Sequence, residues 1–111
     1  MNDHSRDAAP AFDQPLWMPG PARSAATRMA AFTAYARQVS GMALESYADL
    51  HAWSIGAPEQ FWPAVWEFCG VLGERGEQVL ADPQRMPGAR WFPDARLNFA
   101  ENLLRDCSNP E

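Results

Sequence analysis

The sequence predicts a mainly α fold: a small helical domain of about four helices, with long Pro/Gly-rich loops and at most one short strand. Three observations predict it. Apolar residues recur at helical spacing in successive stretches, each opened by a capping residue or a proline. The 10 prolines and 7 glycines fall mostly between those stretches. A 47% hydrophobic, 12% aromatic composition over 111 residues suffices for one core and for one domain at most.

Residues 1–22 read as a Pro-rich leader, partly disordered and loose up to about Asp13, because Pro10, Pro15, Pro19 and Pro21 remove donors and bias their predecessors away from helix. Leu16 and Trp17 offer an apolar anchor that would pin the leader to a surface. Residues 23–111 form the folded domain. Ser24 is the expected N-cap of a first helix over about 25–40, with Met29, Phe32, Ala36 and Val39 on one stripe and Gly41 left-handed at its end. Ser46 and Asp49 match a capping box ahead of Tyr47, Leu50 and Trp53, giving a short helix over about 47–54 that stops near Gly56.

Pro58 and Glu59 suit the first turn of a third helix. Phe61, Val65 and Phe68 form one stripe on it, and Trp62, Trp66 and Cys69 a second, so the helix is expected to be buried on two sides. Trp66, if enclosed, should cost roughly 3–5 kcal/mol when cut to alanine. Pro63 lies too deep for the first turn and predicts a lost backbone bond with a bend nearby. From Gly70 to Gly88 only Gln78-Val79-Leu80 reads as a short strand; the rest is turn and loop. Asn98 and Glu101 form the last capping box, opening a helix that ends by about Asp106.

The charges restrict function. Nine basic residues against 14 acidic ones give a net charge of −5, which disfavours nucleic acid as a partner. Every basic residue is Arg, so Schiff-base and phosphate-loop lysine chemistry is excluded for these residues. No apolar run approaches a membrane span, and the first residues carry no secretory h-region. Two cysteines in that context predict a reducing compartment, the cytoplasm.

The reactive side chains point to packing more than to chemistry. His4 and His51 lack the converging ligands a zinc site needs, and a partly buried, hydrogen-bonded His51 is the simpler expectation. Cys69 falls on a tryptophan stripe and reads as core; Cys107 lies near the terminus. Glu59, Glu67, Glu74 and Glu77 fit a solvated face better than an acid–base pair. Glycines occur singly and precede no lysine, so no phosphate cradle is present. Arg90 and Arg96 flank Trp91-Phe92, where stacking or pairing with Asp94 is preferred over anion binding. Trp53, Phe61, Trp62, Trp66, Phe68, Trp91 and Phe92 read as core plus docking surface rather than a ligand cage.

Several pieces, taken in order, resemble a known family. They are Pro15-Leu-Trp-Met-Pro19, Thr27-Arg-Met-Ala-Ala-Phe32, Trp53-Ser54, Phe61-Trp62, Val65-Trp66-Glu-Phe68, Gly70-Val71, Met86-Pro-Gly-Ala-Arg-Trp-Phe-Pro93 and Leu97-Asn-Phe-Ala-Glu-Asn-Leu-Leu104. Together they resemble the N-terminal domain of acetoacetyl-CoA synthetases, in the acetyl-CoA synthetase-like branch of adenylate-forming enzymes. The ending Ala100-Glu-Asn-Leu-Leu104 is similar to the acetoacetate branch, whereas an acetyl-CoA synthetase would carry a Cys-Leu-Asp-Arg-His type of ending. Pro63 departs from a helix the family usually keeps continuous, and the AMP-binding domain would begin where this chain stops.

The resemblance implies a helical cap packed on an AMP-binding catalytic domain, in cis or as a separate chain. It implies ATP, Mg and CoA for the full-length family member, an acyl-adenylate intermediate and a place in ketone-body and lipid metabolism. The family's phosphate loop ending in lysine, magnesium glutamate, ribose aspartate and adenylating lysine match no position here. No catalytic, cofactor-binding or metal residue is therefore carried over, and no cofactor is expected for this chain. Two alternatives stay open: a non-catalytic module docking a separate partner through its aromatic face, and a gene fragment without function. An exposed apolar patch is expected from the final helix, the Trp91-Phe92 loop and one face of the third helix.

Overall fold

The computed structural model describes residues 14–105. His4, Cys107 and the loose leader up to Asp13 lie outside the described residues. The observed order is α1 (Pro21–Ala25), α2 (Arg28–Ser40), α3 (Tyr47–Gly56), α4 (Pro58–Phe68), β1 (Leu80–Ala81), β2 (Arg90–Trp91) and α5 (Phe99–Leu104). The fold is mainly α, as the sequence predicts.

The first predicted helix is two helices. Pro21 occupies the first turn of α1, and the Ser24 amide donates to the Gly20 carbonyl at 3.0 Å. Ser24 is thus inside a helix and does not cap the next one. Thr27, extended at φ −80° and ψ 154°, takes that role: its hydroxyl accepts from the Ala30 amide at 3.1 Å and donates to the Ser24 carbonyl at 2.8 Å. Gly41 closes α2 at φ 70°, as its missing Cβ allows. Only the centre of the predicted stripe is buried: Phe32 and Ala36 are inside, while Met29 and Val39 are exposed.

The chain between α2 and α3 is tied down by Arg37, whose Nε donates to the carbonyls of Ala43 at 2.9 Å and Leu44 at 3.0 Å. Leu44 drops into the core from this loop. The Ser46–Asp49 capping box forms in both directions: the Ser46 hydroxyl accepts from the Asp49 amide at 3.1 Å, and Asp49 Oδ2 accepts from the amides of Ser46 and Glu45 at 3.0 and 2.9 Å. The Ser46 amide, then its hydroxyl, then the Glu45 amide hold the Asp49 carboxyl below the usual carboxylate range.

Helix α4 starts at Pro58 and runs through Pro63 to Phe68. Pro63 cannot donate to the Glu59 carbonyl, and the loss is confined to that one bond near the helix start. The helix ends in a Schellman turn: Gly70, at φ 60°, donates to the Glu67 carbonyl at 3.1 Å, and Val71 donates to the Trp66 carbonyl at 3.1 Å.

The core lies where α2 and α3 meet α4. Phe32, Ala36, Leu44, Leu50, Trp53 and Ala64 are buried, with Tyr35, Phe61, Val65 and Phe68 packed against them. Phe32 meets Phe61 and Phe68 edge-on at 5.8 and 5.3 Å, and Trp53 meets Phe61 at 5.5 Å. Such offset ring pairs contribute beyond their area.

The expectation of burial on two sides fails for α4. Ala64 is its one buried residue, Trp66 is half-buried, and Trp62 and Cys69 are exposed. The loop that follows covers the second stripe only in part, through Trp62–Trp91 and Trp66–Phe92 ring contacts at 5.8 and 5.3 Å. A half-buried Trp66 does not meet the condition for the 3–5 kcal/mol alanine cost; about 1–2 kcal/mol is the corrected expectation.

The limit of one short strand is also corrected. Leu80–Ala81, not Gln78–Leu80, forms β1, and it pairs antiparallel with β2 in a two-stranded sheet, Leu80 opposite Trp91 and Ala81 opposite Arg90. Ahead of it, Glu74 and Arg96 exchange backbone hydrogen bonds of 2.8 Å each as an isolated bridge. Gly73 is required beside this bridge: at φ 149°, a Cβ would stand 2.6 Å from Leu97 Cβ and 2.7 Å from the Arg96 carbonyl. Asn98 then caps α5 by accepting from the Glu101 amide at 3.2 Å.

Candidate docking surface

The predicted aromatic set separates into two groups. Trp53, Phe61 and Phe68 join Phe32 in or against the core. Trp62, Trp66, Trp91 and Phe92 form paired rings on the other side of α4, with Trp62 41% and Trp91 47% exposed. Trp62, Trp91 and Phe92 line an open apolar cleft. Phe92 is held at φ 44°, a conformation bulky residues rarely adopt, and this turns its ring onto Trp66.

Helix α5 adds further strongly exposed apolar side chains. It buries none of its six residues. Phe99, Leu103 and Leu104 are 76%, 67% and 80% exposed, and Leu97 just ahead is 50% exposed. A polar face holds the helix instead. Asn102 Oδ1 accepts from the Leu72 amide at 2.7 Å, and its Nδ2 donates to the carbonyls of Leu72 and Asn98, both at 2.9 Å. Arg105 Nη2 donates to the Cys69 carbonyl at 2.6 Å, and Nη1 donates to the Gly70 carbonyl. The three regions expected to expose apolar surface all do so.

Leu16, Trp17 and Met18 form a further exposed apolar run. The expected anchoring of Leu16 and Trp17 does not occur on this domain; the Arg23 guanidinium lies 5.8 Å over the Trp17 ring instead.

The reactive candidates do not converge. His51 is exposed and stacks on Tyr47 at 6.4 Å, so the partly buried histidine is corrected: its ring lies at the border of an open groove. Cys69 is exposed at the end of α4, not core, because the Schellman turn carries the chain away there. Glu59, Glu67, Glu74 and Glu77 are exposed, and among the described residues no three His, Cys, Asp or Glu side chains could share a metal ion. Arg90 and Arg96 are exposed, and the aromatic-stacked guanidinium of the core region is that of Arg28, 4.9 Å from the Phe68 ring centroid. Arg28 and His51 border a second open groove, of about 350 Å³, walled by Met29, Phe32, Leu50 and Val65. Asn102 is the side chain that ties this surface to the domain, and its one local signal in the sequence is a polar residue between Phe99 and Leu103.

These features define a small helical domain whose core leaves a set of aromatic and aliphatic side chains exposed on its surface. Comparison with known proteins places the sequence in a family. Residues 47–103 match the family model described as acetyl-coenzyme A synthetase N-terminus, and the chain belongs to that family. It is 46% identical over 93 residues to an acetoacetyl-coenzyme A synthetase of Rhizobium meliloti, a match covering 84% of this chain and 14% of the relative. It is 40% identical over 97 residues to a malonamoyl-CoA synthetase of Penicillium aethiopicum, covering 86% of this chain and 13% of the relative. An acetoacetyl-CoA synthetase of Macaca fascicularis is 36% identical over 98 residues, covering 86% and 14%. The chain therefore spans about one-seventh of the length of these relatives. No solved structure gives a significant match. Among the described residues no helix is long and apolar enough to cross a membrane.

Proposed function

We propose that this chain is the N-terminal cap of an acetoacetate–CoA ligase. The parent reaction is acetoacetate + ATP + CoA → acetoacetyl-CoA + AMP + diphosphate, through an acyl-adenylate. The observation that carries the reading is the 46% identity to the Rhizobium meliloti acetoacetyl-coenzyme A synthetase across most of the chain. The cap contributes surface, not reacting groups: it docks on the AMP-binding body, in cis, and the ATP, Mg and CoA sites belong to that body. The acyl groups in the relatives' names, acetoacetyl and malonamoyl, both carry a carbonyl at C3, which makes a small 3-carbonyl carboxylic acid the coarse substrate class. Cytoplasmic location and a role in ketone-body and lipid metabolism follow from the same reading. An independent interaction module is not favoured, because the similarity is to ligases throughout.

The test is a chimera. The matching segment of the Rhizobium meliloti synthetase is replaced by this chain, and acetoacetate-dependent AMP release is measured. An active chimera, beside a free 111-residue chain that releases no AMP, is the expected result. An inactive chimera, or nucleotide turnover by the free chain, defeats the reading.

A further inference from the structure

We infer that α5 is a docking helix set in place before its partner arrives, with Asn102 as the positioning residue and the remainder of the ligase polypeptide as the occupant. The inference rests on the parent-ligase reading. A surface helix ordinarily turns its apolar stripe inward and its polar side to water. Here the arrangement is inverted: Phe99, Leu103 and Leu104 are 76%, 67% and 80% exposed, while Asn102 and Arg105 reach across to the backbone of residues 69–72. A helix of six residues that buries no side chain has little stability of its own. Its placement therefore depends on polar ties.

Those ties converge on one rigid element. Asn102 both accepts from and donates to the backbone of Leu72, at 2.7 and 2.9 Å, so a side-chain amide imitates a strand-to-strand pairing across 30 residues. Arg105 bonds the carbonyls of Cys69 and Gly70. All of these acceptors and the one donor lie within residues 69–72, in and just after the turn that ends α4. The apolar face of α5 is thereby fixed relative to the core, and ordering it is no longer part of the cost of association.

The occupant follows from chain continuity. In the Rhizobium meliloti relative the matching segment is 14% of the polypeptide, so the body is tethered to it at high effective concentration. A tethered partner needs a preset face more than a large one.

Two measurements test this. In the free chain, Asn102→Ala and Asn102→Leu both raise intrinsic helix propensity while removing the Leu72 pairing. Amide exchange in α5 is expected to accelerate at least tenfold in both variants, with α2 to α4 unchanged; unaltered or slower exchange in α5 overturns the proposal. In the chimera, α5 amides are expected to exchange at least tenfold more slowly than in the free chain. Leu103→Asp should lower the chimera's Tm by several degrees and leave the free chain's Tm in place. An active chimera whose α5 exchanges as in the free chain overturns this proposal alone, whereas an inactive chimera defeats the parent-ligase reading and this occupant with it. A free chain that sediments as a dimer, and becomes a monomer on Leu103→Asp, assigns the face to self-association and also overturns it.

Discussion

Replacing Trp53 by phenylalanine should be nearly harmless, although replacing it by alanine should nearly unfold the domain. The ring is 4% exposed and stands edge-on to Phe61 at 5.5 Å. Its indole Nε1 is buried and meets no acceptor among the described residues. A buried donor left without a partner costs about 1–3 kcal/mol. Phenylalanine removes that donor together with roughly 40 Å² of ring surface, which at about 25 cal/mol per Å² is worth about 1 kcal/mol. The two effects offset, so Trp53→Phe is expected to shift stability by less than about 1 kcal/mol. Trp53→Ala leaves the cavity and is expected to cost about 3–5 kcal/mol. Urea unfolding followed by far-ultraviolet circular dichroism measures both, without relying on the emission of the ring being removed. If Trp53→Phe loses as much stability as Trp53→Ala, the indole N–H is a bonded group and the reasoning is refuted.

Gly73→Ala meets both a φ of 149° and a 2.6 Å approach to Leu97 Cβ, so a loss of at least about 2 kcal/mol in urea is expected; Gly41→Ala, at φ 70° in open space, should lose only about 1 kcal/mol. Thr27→Ala should cost about 1 kcal/mol through the lost cap, and Ser24→Ala almost nothing; equal losses from the two variants would contradict the observed helix start. Asp49, its carboxyl held low by the amides and hydroxyl of the capping box, contributes stability at pH above its ordinary value of 3.8 and loses it as pH falls through the lowered folded-state value. Urea midpoints recorded from pH 7 down to pH 2 should therefore fall less steeply for Asp49→Asn than for wild type over the acid end of that range.

What could be read in advance was whatever a few neighbouring residues decide. Gly41, the Ser46–Asp49 box, Pro58 at a first turn and Asn98 as a cap all behave as their local chemistry requires. Ser24 and Thr27 are both hydroxyl residues three positions apart, and the stripe that follows suits either as a cap. Pro21 decides between them by starting a turn upstream that absorbs Ser24. The β1–β2 pairing has no local signature, because Ala81 and Arg90 carry no strand signal; eight residues of intervening chain bring them opposite each other. The second stripe of α4 is apolar, as its spacing predicts, but it is not enclosed, since periodicity reports a face and not what covers it. The candidate surface was legible in composition, through Trp91, Phe99 and Leu103, but its support was not: Asn102 works through Leu72, which no local pattern connects to it.

The five tryptophans have a practical consequence. Trp53 sits in a dry core, whereas Trp62 and Trp91 stand together in water on the presented side. Hydrated indoles emit to the red of enclosed ones, so the red side of the emission spectrum tracks the arrival of anything that sheds that water. Trp17 is the one other strongly hydrated indole, at 68% exposure, and replacing it with phenylalanine leaves the signal to the ring pair. The domain thus carries its own label-free optical gauge of whatever comes to cover that face.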